Sequence, residues 1–377
     1  MAHSSAGPPP TDTTIDSEVD FLLQTYANLR WAITNATNNP IVPSLSTLTN
    51  ALSSLPNPSS PSYLQPLGRS KTHAHLLEHI LPALNHQSLS PRYLGFVTGG
   101  VLPIAEAADN LVTALDQNVQ VHFPSPPLSS SPNPDSQWVH SASTTIESTA
   151  LRMLISLLHL DHTDHGDEVH WPGRTFTTGA TASNILGLAC GREAVVNARL
   201  PATGTEQGKT VAQVGLLAAC QAAGIKGIQV LTSMGHSSVS KAASVLGLGQ
   251  ASVRELGVEG EPWKLDLNLV ERELVQGEED GVVSIIVVSA GEVNTGRFAT
   301  NVLDMPKLRS LADRYGAWIH VDGGAYFGPS YLLFAWMRDI DECSSLRSLR
   351  PRPAQDGRVS RPACPCCRAR AGRQHSS

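Results

Sequence analysis

The chain has 377 residues, 41% of them hydrophobic, 16% charged and 5% aromatic, which excludes wholesale disorder, collagen and coiled coil. Its 27 Lys and Arg against 33 Asp and Glu leave a net charge of −6 without a basic stripe, so no nucleic-acid partner is expected. No apolar run reaches the ~18 residues of a membrane span, and the polar, Pro-rich start from Met1 to Pro10 does not fit a secretory signal, so a soluble, cytoplasmic protein is expected.

Residues 1–15 read as a disordered tail, and 16–120 as an N-terminal helical segment with the start of a large domain. Residues 121–342 read as the body of that domain, and 343–377 as an irregular Arg/Pro/Cys-rich tail not expected to fold. The Pro/Ser-rich stretch 124–136 is a long loop. Apolar residues recur at helical spacing over Thr145–Leu160, behind a Ser/Thr cluster suited to capping. The stretch Asp161–Asp167 is irregular, and Thr181–Leu200 is a second helix with Thr181 as its expected cap.

Ile228–Thr232, Val282–Ser289 and Ala317–Val321 are β-branched runs that read as buried strands. The acidic run Gly277–Asp280 reads as an exposed turn before the second of them. Asp304-Met-Pro306 opens a helix through Tyr315, which Gly316 is placed to stop. Strand, helix and strand between 282 and 321 make a βαβ crossover, hence a parallel sheet in an α/β fold.

Metal chemistry is not expected. Cys190 and Cys220 lie in apolar helical stretches and read as small hydrophobes. Cys343, Cys364, Cys366 and Cys367 crowd the tail without a second pair at zinc-site spacing. His159, His162, His165 and His170 fall in a polar stretch without the regular helical presentation of a metal motif, and read as a solvated loop.

Ligands of parallel α/β sheets collect at the carboxyl ends of the strands. Three segments stand there. Thr177–Asn184 is a run of small residues leading into a helix, able to bring backbone N–H groups and a helix N-terminus to an anion, or simply to pack closely. His236 follows the first strand and can stack on a planar ring or cap a turn. Asp322 ends the last strand, where a partly buried carboxylate needs a cation or a donor. The pyridinium nitrogen of pyridoxal phosphate is one such partner, and N–H groups of the turn are another.

In combination these motifs resemble the group II pyridoxal-phosphate decarboxylases, which act on glutamate, aromatic amino acids or diaminobutyrate. Phe176-Thr-Thr-Gly-Ala-Thr-Ala-Ser-Asn184 resembles the family's phosphate turn, and His236-Ser-Ser-Val-Ser-Lys241 the segment whose His covers the cofactor ring. His320-Val-Asp322-Gly-Gly324 resembles the segment carrying the ring-nitrogen Asp, and Gly291-Glu-Val-Asn-Thr-Gly296 stands where the family has Gly-Thr-Thr-x-x-Gly. Pro91–Phe96 and Asp116-Gln-Asn118 resemble substrate-side segments, and the match runs from about Leu76 to Phe327.

The resemblance implies an aminotransferase-type (fold type I) large domain with a mostly parallel central sheet, assembled as a homodimer when complete. It implies pyridoxal 5′-phosphate held by Gly179, Ala180, Thr181, His236, Asp322 and Gly324, and an L-amino acid as substrate, decarboxylated to the amine. Tyr93, Phe96, Glu292 and Asn294 are its candidate substrate contacts.

Two departures stand out. Glu292 and Val293 replace the usual Thr pair. The family's Schiff-base Lys follows the Asp by a few tens of residues, yet the six lysines here are Lys71, Lys209, Lys226, Lys241, Lys264 and Lys307, all before Asp322. The 55 residues after Asp322 hold nine Arg and no Lys, and from Cys343 they lose periodicity in the manner of a translated intron or shifted frame. A missing small C-terminal domain and an inactive chain are therefore expected. A non-catalytic cofactor- or partner-binding protein is the alternative, and transamination or aldehyde formation on the same fold stays open.

Overall fold

The computed structural model describes residues 18–35, 41–90, 92, 93, 95, 100–117, 141–158, 160, 171, 173–201 and 209–324. Both tails, the 124–136 and Asp161–Asp167 stretches, Phe96, Asn118, the four clustered histidines and the four C-terminal cysteines lie outside these residues.

The chain divides into two compact units, Met1–Asp109 and Asn110–Ser377. The first is helical, with α1 (Glu18–Asn35), α2 (Leu45–Ser54), α3 (Arg69–His75) and most of α4 (Pro103–Leu115). Helix α2 begins on Ser44, whose Oγ accepts the Thr47 N–H at 3.1 Å. Glu106 of α4 accepts from Tyr26 Oη at 3.1 Å and from Arg30 at 3.3 Å.

The second unit continues with α5 (Ser143–Leu157), α6 (Ala180–Asn197), α7 (Val211–Val214), α8 (Leu216–Ala222), β1 (Gly227–Thr232) and α9 (Ser237–Val245). There follow β2 (Val253–Glu255), β3 (Gly257–Val258), β4 (Glu261–Leu265), α10 (Leu267–Asp280), β5 (Val282–Ser289), α11 (Met305–Tyr315) and β6 (Trp318–Asp322). Four strands pair in the order β2-β1-β5-β6, every pair parallel, while β3 and β4 form a separate antiparallel hairpin.

The apolar run of β5 exists because both faces of the sheet are covered. Val230, Ile285 and Val287 pack on one face with Leu188 of α6 and Val239 of α9. Leu231, Ile286, Val288 and Ile319 pack on the other with Val270 and Leu274 of α10 and Leu308 of α11. This is a three-layer α/β arrangement, as the strand–helix–strand pattern implies, and β5-α11-β6 is the expected crossover.

Helix α6 runs alongside β6 and touches it throughout. Arg199, just beyond the helix, donates to the carbonyls of Tyr315 and Gly316 at 2.7 and 3.1 Å. Gly191 lies so near the Trp318 ring that a Cβ there would stand 2.7 Å from Cδ1. Gly316 takes the left-handed conformation (φ 60°) that ends α11, as its position in the sequence implies.

Three local readings are corrected. Helix α6 is capped by Gly179, not Thr181, because Thr181 already lies within the first turn. Residues 277–280 are the last turn of α10, not a loop: Gly277 is buried against the start of β5, and only Glu278, Glu279 and Asp280 face solvent. Cys190 and Cys220 lie in α6 and α8 but are half-buried rather than core residues, and burial raises both thiol pKa values.

Candidate functional site

The carboxyl ends of β1, β5 and β6 and the start of α6 converge on one place. Thr177 Oγ1 donates to the Gly179 carbonyl at 3.1 Å and accepts from Ser183 Oγ at 2.6 Å, which folds the small-residue turn back on the helix. The first-turn N–H groups of an α-helix have no intrahelical acceptor, and Ala180 and Thr181 carry theirs at an exposed end with no side-chain cap on Gly179.

Gly324 stands between this helix start and the end of β6. A Cβ on it would lie 3.4 Å from both Ala180 Cβ and Asp322 Oδ1. A larger side chain there would fill the gap between the two.

Asp322 is buried at 8% exposure. Its Oδ2 accepts from Asn184 Nδ2 at 3.0 Å and its Oδ1 from the Gly324 N–H at 3.2 Å. A carboxylate has about four acceptor sites, so half its capacity remains. No cationic side chain pairs with it among the described residues.

Asn184 is fully buried, and both its amide hydrogens and its oxygen have partners. Besides Asp322, Nδ2 donates to Ser238 Oγ at 2.8 Å, and Oδ1 faces His320 Nε2 at 2.8 Å. Because a carboxylate only accepts, the amide orientation is fixed, and His320 Nε2 must be the donor. Burial lowers the His320 pKa to about 4 against the opposing pull of Asp322, so the ring is neutral near pH 7.

His236 caps α9. Its Nδ1 accepts the Ser238 N–H at 3.2 Å and lies 2.7 Å from Ser238 Oγ. A backbone N–H cannot accept, so Nδ1 is the acceptor in this cap, which leaves Nε2 to carry the ring's hydrogen. Capping and an exposed ring coexist. Nearby, the hydroxyls of Thr232 and Ser233 at the end of β1 are buried without a partner among the described residues.

The segment after β5 is tied to the same edge, for Ala290 N–H donates to the Asp322 carbonyl at 2.8 Å. Glu292 is buried and turns its carboxylate into its own loop, accepting from the Asn294 N–H at 2.9 Å, from Asn294 Nδ2 at 3.2 Å and from the Thr295 N–H. Burial pushes its pKa up, but the bonds from Thr295 and Asn294 outweigh that and hold it below the usual range.

The structure thus brings Gly179, Ala180, Thr181, His236, Asp322 and Gly324 to one sheet edge. Glu292 and Asn294 lie in the loop beside it, engaged with each other. Tyr93 is half-buried in the first unit, and Phe96 lies outside the described residues. Sequence reasoning singled out neither Asn184 nor Ser238. Their signal was available only as polar residues at core positions of two helices. Among the described residues no group of His, Cys, Asp and Glu could hold a metal ion, and no helix is long and apolar enough to cross a membrane.

A parallel sheet covered by helices on both faces, with a helix N-terminus, a buried carboxylate and a histidine at its carboxyl edge, defines a three-layer α/β protein with a candidate ligand site at that edge. The pyridoxal-dependent decarboxylase conserved domain matches residues 137–349, more than half of the chain, and the protein belongs to that family. Pyridoxal phosphate is the family's cofactor.

Among curated proteins, an aspartate 1-decarboxylase of Aliivibrio fischeri is 28% identical over 280 residues, covering 71% of this chain and 45% of the relative. An L-2,4-diaminobutyrate decarboxylase of Acinetobacter baumannii is 29% identical over 157 residues, covering 40% of this chain and 28% of the relative. The chain therefore spans less than half the length of these relatives.

Among solved structures, the glutamate decarboxylase domain of diaminobutyrate-pyruvate transaminase and L-2,4-diaminobutyrate decarboxylase from Vibrio parahaemolyticus superposes with a TM-score of 0.56 at 20% identity, covering 81% of this chain and 57% of that one. Catharanthus roseus tryptophan decarboxylase in complex with L-tryptophan gives 0.54 at 18% identity, covering 81% and 57%. These likenesses concern the fold, that of the fold type I enzymes.

Proposed function

We propose that this sheet edge is the cofactor site of an L-amino acid α-decarboxylase. The observation that carries the reading is the buried carboxylate of Asp322, without a cationic partner among the described residues and with acceptor capacity to spare, one small residue away from an open helix N-terminus. A buried carboxylate is costly unless it meets a donor. A protonated pyridine nitrogen supplies one, and the first-turn N–H groups of α6 and its dipole suit a phosphate. The buried hydroxyls of Thr232 and Ser233, without partners among the described residues, are further donors for a polar ligand.

In this reading Asp322 keeps the proton on the ring nitrogen, and Ala180 and Thr181 hold the phosphate. Gly324 leaves room for the ring, and His236 covers one of its faces with Nε2–H as a donor toward a substrate carboxylate. Bound there, pyridoxal phosphate supplies the electron sink for the charge left at the substrate Cα when carbon dioxide departs. The reading takes a small-molecule L-amino acid as substrate, which family membership supports, and adds a homodimer in a cytoplasmic setting.

A second reading is favoured by one specific observation, the absence of any Lys after Lys307. A lysine that carries the cofactor also accelerates its exchange onto the substrate. The chain then binds pyridoxal phosphate by non-covalent contacts and does not turn over unless such a lysine is supplied.

The test is equilibrium dialysis of the full chain with pyridoxal phosphate, followed by borohydride treatment. Saturable binding weakened tenfold or more, but still measurable, in Asp322→Ala and in Gly324→Val, with no borohydride-stable label, is expected. Absence of binding overturns both readings, and a label fixed on a lysine overturns the second.

A further inference from the structure

We infer that Asn184 is a positioning residue that sets Asp322 for the cofactor and joins it, through Ser238, to His236 in one hydrogen-bonded unit. The inference rests on the cofactor-site reading above and goes beyond it, to a side chain that would itself touch neither cofactor nor substrate.

A carboxamide has two hydrogens and one oxygen with which to fix neighbours. Asn184 spends all of them inside the protein. One hydrogen goes to Asp322 Oδ2 at 3.0 Å, the other to Ser238 Oγ at 2.8 Å, and Oδ1 takes the Nε2–H of His320 at 2.8 Å. The partners come from two stretches apart from its own helix α6: β6 carries His320 and Asp322, and α9 carries Ser238.

The direction of every bond follows from the ends. The Asp322 carboxylate only accepts, which places Nδ2 on its side. Ser238 Oγ accepts from Nδ2, and its own hydrogen shares the lone pair of His236 Nδ1, at 2.7 Å, with the Ser238 N–H that establishes this nitrogen as an acceptor. The chain Asp322–Asn184–Ser238–His236 is therefore ordered in a single sense. A buried polar group with every site matched holds one geometry, because any rotation leaves a donor or acceptor unpaired.

An asparagine on the core-facing side of an otherwise apolar helix segment (Ile185, Leu188) is not needed for packing alone. At 0% exposure it ties the cofactor-facing carboxylate to the ring that faces the cofactor from another element. If it were only a core filler, its loss would weaken folding without regard to Asp322.

A double-mutant cycle on the full chain tests this, read by the Kd for pyridoxal phosphate and by thermal unfolding. Asn184→Leu is expected to weaken binding about tenfold or more, the scale of losing a hydrogen bond to a charged group. In an Asp322→Ala background the same change is expected to alter Kd by less than about twofold, because the residue acts through that carboxylate. Equal factors in both backgrounds overturn the inference.

Should Asn184→Leu fail to fold, the side-chain amide signals of Asn184 in the otherwise unaltered protein decide. Two distinct, exchange-protected Nδ2 hydrogens are expected, one shifting on addition of pyridoxal phosphate and losing its distinct position in Asp322→Ala. Signals unmoved by the cofactor overturn it. Failure of the wild-type chain to bind pyridoxal phosphate is a different result, which refutes the cofactor-site reading instead.

Discussion

His320 makes the folded protein sensitive to mild acid in a way that can be worked out from its surroundings. The ring is wholly buried, and burial lowers its pKa from 6.5 to about 4, with the Asp322 charge pulling the other way. Below pH 6.5 the unfolded chain takes up a proton on this ring, while the folded protein does not until about pH 4. Stability from this group is therefore complete above the unfolded pKa and is lost as the pH falls through that window. At about 1.4 kcal/mol per unit, the loss reaches roughly 3 kcal/mol, a large share of a typical domain's 5–15 kcal/mol. His320→Gln removes the titration while keeping an N–H that can face Asn184. Urea unfolding at a series of pH values from neutrality to about 4 measures the difference. Wild type is expected to lose about 3 kcal/mol more than the variant across the window. Parallel curves, offset by a constant, would refute the reasoning.

Three further predictions concern the scaffold around the site. Gly191→Ala puts a Cβ 2.7 Å from Trp318 Cδ1, and overpacking of about 1–3 kcal/mol should exceed the gain of under ~1 kcal/mol in helix propensity, lowering the unfolding midpoint. Asp266→Ala removes the cap of α10, whose Oδ1 accepts from Asn268 and Leu269 at 2.8 and 3.2 Å, and should cost about 1 kcal/mol in urea unfolding. Glu292→Ala strips the 291–297 turn of the carboxylate that organises it and should cost about 2 kcal/mol at neutral pH. Because its pKa is lowered, that stability is present above the ordinary carboxylate range and is lost as acid protonates the group, so the variant's deficit should shrink at low pH.

The sheet was legible because its strands are doubly buried, and a β-branched run such as Val282–Ser289 has no other stable home. Helix α11 was legible at both ends, from Pro306 near its start and Gly316 after its end. Strands β2 and β3 were not, since three and two residues carry no period to read, and β4 (Glu261–Leu265) holds Pro262 and two charged residues instead of a β-branched run. The acidic end of α10 looked like a turn because charge density reports exposure, not conformation, and the side chain that decides the matter is the absent one of Gly277, packed on β5.

At the site, the residues facing outward from the sheet edge were readable as motifs, and those behind them were not. His236 and Asp322 announce themselves by chemistry. Asn184 sits in a run that periodicity assigns to the core, and only the three-dimensional meeting of α6, α9 and β6 gives it partners. Glu292 stands out in the sequence as a charged residue in place of a threonine, and the partners its carboxylate takes in its own loop could not be read there.

The contacts between α6 and β6 also act as a ruler. From Arg199 back to Ala180 the helix covers about 28 Å at 1.5 Å per residue, and its partners run from Gly316 through the strand Trp318–Asp322, about 3.3 Å per residue, to the turn at Gly324. Two segments of unlike pitch are thus matched end to end, with Gly191 on Trp318 and Asn184 on His320 as intermediate marks. Inserting one residue into the middle of α6 would move its start by 1.5 Å and turn it through about 100° relative to Asp322. The loop outside can lengthen without consequence for this alignment. The helix cannot, so insertions and deletions among homologous chains should be excluded from 180–199 and admitted on either side of it.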